Sequence, residues 1–394
     1  MIKRDIEEIL SRFSKFPVIG VFGPRQSGKT TLVKNYFKSH SYLNFEDPDT
    51  RDFATNDPRG FLKTYENEHG IILDEFQYVP QILSYIQIES DQTQKPGYFV
   101  LTGSQNFLMN QAITQSLAGR IGILTLLPLS LHELDQAGLL SDNSNELLLN
   151  GGYPRVYTQQ FNPDEFYPSY IHSYVERDVR QLINVENLRT FRKFMQLCAA
   201  RTGQLLNISD LAMNCSINQK TVTRWLSILE ASYIIYLLMP YHENFSKRVI
   251  KTPKIFFCDT GLACSLLAIK TVEEMALSQW RGHLFECLII SDFYKQYYNN
   301  GSHPSLYFWR DKNGHIEVDC IVEKAGKLIP VEIKSSQTIN SDLFDSLKKW
   351  QDLTQTAADN SYLVYGGDIS QSRAQGNIIG WKASGSLIKK ITGN

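Results

Sequence analysis

Hydrophobic residues in the first 130 positions occur in short runs that are separated by amphipathic segments. The runs predict strands at 18–22, 42–45, 71–74, 98–102 and 122–127. The segments between them predict helices that begin near Lys29, Pro58, Pro80 and Asn106. Because this alternation is typical of a parallel sheet covered by helices, residues 1–130 are predicted to form an α/β domain.

The pattern changes twice after this domain. Residues 131–275 are mainly helical, and within them 206–238 predict a winged helix-turn-helix. Residues 276–394 predict a separate α/β domain. The elements predicted for the winged helix-turn-helix are helices at 208–212 and 219–231 and a strand at 234–238; those of the last domain are helices at 281–298 and 343–353 and strands at 305–309, 315–323, 328–335 and 362–365.

Composition narrows the class of protein. Of the 394 residues, 42% are hydrophobic and 21% are charged, which is typical of a globular protein with two or three domains. The formal net charge is −1, so binding to nucleic acid would need local basic patches.

The six scattered cysteines predict buried thiols in a reducing compartment. Without a signal peptide or a run of about 18 apolar residues, the chain is predicted to be cytoplasmic and not bound to a membrane.

The first predicted strand runs directly into a glycine-rich segment. This segment is Gly23-Pro24-Arg25-Gln26-Ser27-Gly28-Lys29-Thr30, and the helical Thr31 follows it. Strand, loop and helix in this order are the context of a phosphate-binding P-loop, whose backbone N–H groups surround the phosphates. Lys29 is predicted to bridge the β- and γ-phosphates and Thr30 to bind Mg²⁺. The predicted cofactors are therefore ATP and Mg²⁺, bound by residues 23–31.

Two carboxylates end the strand at 71–74. Asp74 is predicted to hold Mg²⁺, and Glu75 to orient and polarise the water that attacks the phosphate. Ser104, after the next strand, is either a sensor of the γ-phosphate or the cap of a following helix. Arg120 is either an arginine finger that acts across a subunit interface or a solvated surface arginine. Arg25 is also within reach of the nucleotide or of a neighbouring subunit.

This set of motifs resembles the AAA-like P-loop ATPases of bacteria and archaea that carry a C-terminal winged helix and a nuclease-like domain. The resemblance implies an ATP-driven machine that forms a homo-oligomer such as a hexamer. The strand at 42–45 is also compatible with the additional-strand class of P-loop ATPases. The segments that carry the resemblance are 23–30, 71–77, 101–104, 117–120, 128–133, 151–154 and 257–262.

Charged residues on two strands of the last domain form a second constellation. Strand alternation places Asp319 on one face, and after a hairpin it places Glu332 and Lys334 on a shared face. This order resembles the restriction-endonuclease-like nucleases, in which Asp319 and Glu332 would bind Mg²⁺ and Lys334 would stabilise developing charge. Glu286, on the preceding helix, fits a further acidic ligand. A solvated hairpin or a non-cleaving docking module remains the alternative.

DNA, duplex or branched, is the predicted macromolecular partner. The helix at 219–231 would be the recognition helix, with Lys220 and Arg224 near phosphates. A basic run at 247–254, which ends with Lys254, is predicted to contact the DNA backbone. The leading hypothesis is an ATP-hydrolysing motor that acts on DNA, whose C-terminal domain cleaves or grips it. The alternative is a signalling or scaffolding ATPase that is switched by nucleotide.

Overall fold

The computed structural model describes residues 2–104, 116–175, 188–241, 251–311 and 315–393. The contacts divide the chain into two compact units. The first unit contains 1–128, 231–233 and 298–302, and the second contains the remaining residues. None of the helices within the described ranges is long and apolar enough to span a membrane. The division into domains at 1–130, 131–275 and 276–394 stays a prediction.

A five-stranded parallel sheet forms the centre of the first unit. Its order is β2-β3-β4-β1-β5, so β4 lies between the strand that enters the P-loop and the acidic strand. This order is that of the additional-strand class. Every residue of β1, β3 and β4 is buried, because helices cover the sheet, and this accounts for the continuous apolar runs. The strands are β1 (Val18–Phe22), β2 (Ser41–Asn44), β3 (Ile71–Asp74), β4 (Phe99–Gly103) and β5 (Ile121–Thr125).

Helices precede and connect these strands, and two of those described, α1 and α3, were not predicted. Helix α3 begins where the Asp47 carboxylate accepts a hydrogen bond from the Thr50 N–H and Pro48 occupies the first turn. Asp57 and a proline begin α4 in the same way. The predicted helix near residue 106 lies outside the described residues. The helices are α1 (Glu7–Phe13), α2 (Lys29–Tyr36), α3 (Pro48–Asn56), α4 (Pro58–Tyr65) and α5 (Ile82–Thr93).

The second unit begins with short helices and a small antiparallel sheet. The two helices predicted for the helix-turn-helix are present as α11 and α12, and the strand predicted at 234–238 is β7. The sheet order is β6-β8-β7. The helices are α6 (Leu131–Gln136), α7 (Ser144–Asn150), α8 (Pro154–Thr158), α9 (Pro163–Tyr170), α10 (Leu188–Ala199), α11 (Ile208–Cys215), α12 (Gln219–Ala231), α13 (Thr260–Leu266) and α14 (Val272–Leu277), and the strands are β6 (Gln204–Leu205), β7 (Ile235–Leu238) and β8 (Lys254–Phe257).

A mixed six-stranded sheet completes this unit, in the order β13-β14-β12-β11-β10-β9. Strands β9, β10 and β11 are antiparallel neighbours, whereas β11, β12 and β14 are parallel. The pairing of β10 with β9 shifts by one residue between Val318 and Ile321. The elements are α15 (Arg281–Asn299), β9 (Leu306–Arg310), β10 (Glu317–Lys324), β11 (Lys327–Lys334), α16 (Asp345–Thr354), β12 (Tyr362–Tyr365), β13 (Gln371–Arg373), β14 (Gly376–Gly380) and α17 (Leu387–Thr392).

Three motifs of the resemblance meet in a buried junction of the second unit. The Gly152 N–H donates to Asp259 Oδ2 at 2.7 Å, and the Gly152 carbonyl accepts from the Leu129 N–H at 2.7 Å. Asp259 Oδ1 caps α13 by accepting from the Leu262 N–H at 3.0 Å. Because buried polar groups need partners, the segments 128–133, 151–154 and 257–262 hold one another in place. These contacts give the three segments a structural role in the second unit.

All six cysteines are buried and form no disulfide. Burial raises the pKa of the Cys287 thiol to about 12. A thiol with a raised pKa carries little thiolate at neutral pH and is therefore a poor nucleophile. The prediction of buried thiols is confirmed.

Candidate active sites

The segment at 23–30 forms a loop between β1 and α2. Gly23 has φ +154° and Gly28 has φ +97°, both outside the range that other residues adopt readily. A Cβ atom on Gly23 would lie 2.1 Å from the Leu126 carbonyl oxygen. Helix α2 begins directly after Gly28, so the loop leads into the positive end of a helix. The loop has the geometry of an anion-binding site.

Lys29 is buried inside this loop. Its Nζ donates hydrogen bonds to the carbonyl oxygens of Pro24 at 2.8 Å and Gly23 at 3.1 Å. Burial lowers the pKa of the Lys29 ammonium, and the carboxylates of Glu75 and Asp74 oppose that shift. The ammonium is therefore held within the loop, close to two acidic residues.

Asp74 accepts hydrogen bonds from three hydroxyl groups. Thr30 Oγ1 and Tyr42 Oη donate to Oδ2 at 2.8 and 2.7 Å, and Thr102 Oγ1 donates to Oδ1. The predicted pair Thr30 and Asp74 thus lies together, although 44 residues separate them. Tyr42 was not predicted; burial and the contact with Asp74 raise the pKa of its hydroxyl. Oxygen atoms in this arrangement are the donors that Mg²⁺ prefers.

Glu75 follows β3 with φ +55°, a left-handed conformation that costs a non-glycine residue free energy. Gln77 Nε2 donates to a carboxylate oxygen of Glu75 and also to Ser104 Oγ, at 3.3 Å. Gln77 therefore connects the predicted base with the predicted sensor. Gln77 belongs to the segment 71–77 that carries the resemblance, but nothing in its spacing along the chain indicates this contact.

The two predicted arginines make ion pairs within the chain. Arg120 donates to both carboxylate oxygens of Asp91, at 2.5 and 2.9 Å. Arg25 lies 3.8 Å from a carboxylate oxygen of Glu46 and donates to Tyr78 Oη at 3.4 Å. An arginine finger at position 120 would have to leave Asp91 before it reached a neighbouring subunit. Its role as a finger stays a prediction.

The strand order, the loop and the acidic end of β3 define a P-loop ATPase of the AAA class. The family model described as "AAA domain" matches residues 15–135. Two solved structures are similar to part of the chain. The Walker-type ATPase PABY2304 of Pyrococcus abyssi has a TM-score of 0.45 at 15% identity over 68% of this chain and 96% of that chain. The RuvB Holliday junction branch migration motor of Thermotoga maritima has a TM-score of 0.30 at 16% identity over 59% and 88%.

Two mycobacterial proteins are similar over most of the chain. "Uncharacterized protein Rv2008c" of Mycobacterium tuberculosis and "Uncharacterized protein Mb2031c" of Mycobacterium bovis are each 30% identical over 346 residues. The match covers 85% of this chain and 74% of theirs. Two further family models, the domains of unknown function DUF8612 and DUF4143, match residues 141–273 and 281–383. The chain belongs to the family of these mycobacterial proteins.

A cleft of about 340 Å³ lies in the second unit and contains three of the four predicted C-terminal residues. Glu286 of α15, Asp319 of β10 and Lys334 of β11 line it, whereas Glu332 is 2% exposed and does not. Asp319 lies in the part of β10 where the pairing with β9 shifts. A bulge of this kind redirects nearby side chains, and Asp319 lies between the two registers. Glu317 also lines the cleft, as strand alternation predicts.

Lys334 connects the two carboxylates that were predicted to bind a metal ion. Its Nζ lies 2.5 Å from Glu332 Oε1 and 3.4 Å from Asp319 Oδ2. Burial and the nearby Asp319 carboxylate together raise the pKa of Glu332 to about 8, although Lys334 opposes the shift. Among the described residues, no group of three or more histidine, cysteine or acidic side chains is arranged to hold a metal ion. The metal role of Asp319 and Glu332 stays a prediction.

The prediction that Lys254 contacts DNA disagrees with the structure. Lys254 was predicted to contact DNA at the end of a basic run, but it is 3% exposed. Its Nζ lies 3.1 Å from Glu286 Oε1 and 2.6 Å from Glu317 Oε1, because β8 carries it into the acidic cleft. Although burial disfavours the ammonium, Glu286, Asp319 and Glu317 raise the pKa of Lys254. Lys254 is thus an internal counter-ion, and residues 247 and 248 of the run lie outside the described residues.

Proposed function

We propose that the protein hydrolyses MgATP to act on DNA, and that its C-terminal cleft binds and cleaves the phosphodiester backbone. The observation that carries this proposal is the meeting of Glu286, Asp319 and Lys334 in one cleft. Two carboxylates and a lysine at a cleft wall are groups that bind a divalent cation and a phosphate. The site of ATP hydrolysis lies in the first unit and would supply the free energy for movement.

At the P-loop, Thr30 and Asp74 are the residues that would hold Mg²⁺. Their oxygen atoms lie 2.8 Å apart, and hard oxygen donors fit this ion. The ion would neutralise charge on the β- and γ-phosphates. Glu75 would accept the proton of the attacking water, and Lys29 and the N–H groups of the loop would stabilise the phosphate oxygens. Ser104, joined to Glu75 through Gln77, would respond to the γ-phosphate.

In the C-terminal cleft, Asp319 and Glu286 would hold a divalent cation. Lys334 would then contact a phosphate oxygen, and Glu332 would orient Lys334 from behind through their 2.5 Å ion pair. The cation would serve as a Lewis acid and lower the pKa of a bound water.

Helix α12 also supports DNA as the partner. Its buried face contains Val222 and Trp225, and its opposite face exposes Lys220 and Arg224.

The Asp319→Asn variant tests the role of the cleft. Loss of this carboxylate is expected to lower Mg²⁺-dependent cleavage of DNA by about 100-fold, because one anionic ligand is removed. The measurement is a cleavage and ATPase assay with single-stranded, duplex and branched DNA. Asp352→Asn, an exposed aspartate on α16, is the matched control. If no DNA form is cleaved and none stimulates ATP hydrolysis, the proposal is wrong.

A second candidate is a nucleotide-switched scaffold with a non-cleaving C-terminal domain. One observation favours it: Lys254 and Lys334 already form ion pairs with the carboxylates at the cleft, so these two ammonium groups occupy positions beside the carboxylates where a cation would bind. In the same assay, this candidate gives neither cleavage nor stimulation by DNA. The result that would support this candidate is a change of oligomeric state when ATP is added, measured by sedimentation velocity.

We also propose that the ATPase is a homo-oligomer in which Arg120 completes a neighbouring site. Arg120→Ala is then expected to lower turnover by about 1,000-fold or more at every protein concentration, since arginine fingers stabilise transition-state charge. Asp91→Asn, which removes the partner of Arg120 without removing the guanidinium, is expected to keep turnover near that of wild type. Equal losses in the two variants, matched by equal losses in stability, would instead indicate a structural ion pair.

A further inference from the structure

Arg4 lies just before α1 and is 5% exposed. Its Nη1 donates to the Ser27 carbonyl oxygen and its Nη2 to the Leu127 carbonyl oxygen, both at 2.7 Å. Ser27 belongs to the P-loop, and Leu127 follows the edge strand β5. A buried guanidinium is costly unless its N–H groups are paired, so these contacts fix the side chain.

The contact with Ser27 determines how the next peptide group is oriented. In a planar trans peptide, the Ser27 carbonyl and the Gly28 N–H point in opposite directions. Because the Ser27 carbonyl points toward Arg4, the Gly28 N–H points away from Arg4. In a P-loop, such backbone N–H groups bind the phosphate oxygens. Gly28 has φ +97°. Because glycine is conformationally permissive, the residue itself does not hold this peptide group in one orientation.

The contact with Leu127 attaches the loop to the sheet. The neighbouring Leu126 donates its N–H to the Phe22 carbonyl at 2.7 Å, and its own carbonyl closely approaches Gly23. The segment 126–127 therefore lies against the start of the loop, while Arg4 ties its carbonyl to the end of the loop. A guanidinium donates from separate nitrogens held in a rigid plane, so it reaches two carbonyl oxygens that lie apart, whereas a lysine donates from one nitrogen at a single position.

We propose that Arg4 is a positioning residue of the nucleotide site, which holds the Ser27–Gly28 peptide in its phosphate-binding orientation. The segment before α1 thereby sets the affinity for the ATP phosphates. The proposal depends on the P-loop alone and not on any action on DNA.

The test compares Arg4→Lys and Arg4→Ala with two controls. Lys3→Ala removes an exposed neighbouring charge, and Leu10→Ala removes a buried apolar side chain of α1 that donates no hydrogen bond to the loop. For each protein, the Kd for ATP, the KM, the kcat at saturating ATP and the urea unfolding midpoint are measured. Both Arg4 variants are expected to raise Kd and KM about tenfold, with a smaller change in kcat. Lys3→Ala is expected to match wild type.

Leu10→Ala separates positioning from general stability. It is expected to lower the unfolding midpoint while it leaves KM near the wild-type value. A wild-type KM in Arg4→Lys overturns the proposal, as does a rise in KM for Leu10→Ala as large as that for the Arg4 variants. Should Arg4→Ala fail to fold, Arg4→Lys decides the question, since it keeps the charge and loses only the bridge.

Discussion

Glu75→Gln is expected to lower ATP turnover by about 100- to 10,000-fold while ATP still binds. The amide has the shape of the carboxylate but cannot accept a proton from the attacking water. Lys29 and the Thr30–Asp74 pair are untouched, so the phosphates and the predicted Mg²⁺ keep their ligands. The measurements are steady-state phosphate release and the Kd of a fluorescent ATP analogue.

The control for this variant is Glu68→Gln, at an exposed glutamate in the same unit. It removes the same charge and is expected to leave turnover within about twofold of wild type, because surface charges are screened by salt. Turnover of Glu75→Gln close to that of wild type would show that another group activates the water. Weakened ATP binding together with a full kcat would likewise contradict the role given to Glu75.

Gly151→Ala is expected to lower the free energy of unfolding by about 3–5 kcal/mol. Gly151 has φ +61°, and a Cβ there would lie 2.1 Å from Tyr167 Oη and 2.4 Å from Asp259 Oδ1. Both neighbours are already engaged: Tyr167 donates to the Asn150 carbonyl, and Asp259 accepts from Gly152. A methyl group therefore strains the junction that connects three motifs. The measurement is urea unfolding followed by circular dichroism.

Gly138→Ala is a matched control for this substitution. Gly138 has φ +65°, and a Cβ there would meet nothing within 4 Å. Its cost is expected to be only the backbone term of about 1–2 kcal/mol. Gly151 also has ψ −152°, a backbone region that is essentially restricted to glycine, so the difference between the two variants reports the clash together with this backbone strain. Equal losses of stability at the two positions would mean that the junction relaxes around the added methyl group.

Local patterns in the sequence were sufficient for most of the first unit. The strands at 18–22 and 71–74 have their predicted bounds, because fully buried strands are continuous apolar runs that end at small or acidic residues. Helix α3 was missed although Asp47 and Pro48 begin it, because its single buried residue, Ala54, leaves no apolar stripe. Strand β14 was missed since glycine residues stand at both of its ends and interrupt the pattern.

The candidate sites were predictable only where a motif has a fixed place on the sheet. Thr30 and Asp74 meet because parallel strands place their carboxyl ends at one edge. Tyr42 reaches the same carboxylate through the register of β2 with β3, which one sequence does not reveal. Lys254 enters the C-terminal cleft from β8, and no local pattern relates that strand to α15. Contacts between distant segments therefore account for the omission of Tyr42 and the wrong prediction for Lys254 at the candidate sites.

The ion pairs of Lys254 affect how the protein can be divided for experiments. Lys254 lies outside the match to the last family model, at residues 281–383, yet it is the counter-ion of Glu286 and Glu317. A fragment of 276–394 would leave these carboxylates, of which Glu286 is buried, without their ammonium, and removal of one partner from a buried pair costs about 3–5 kcal/mol. Truncations intended to isolate the cleft should therefore begin before β6, so that the acidic residues and the lysine are expressed together.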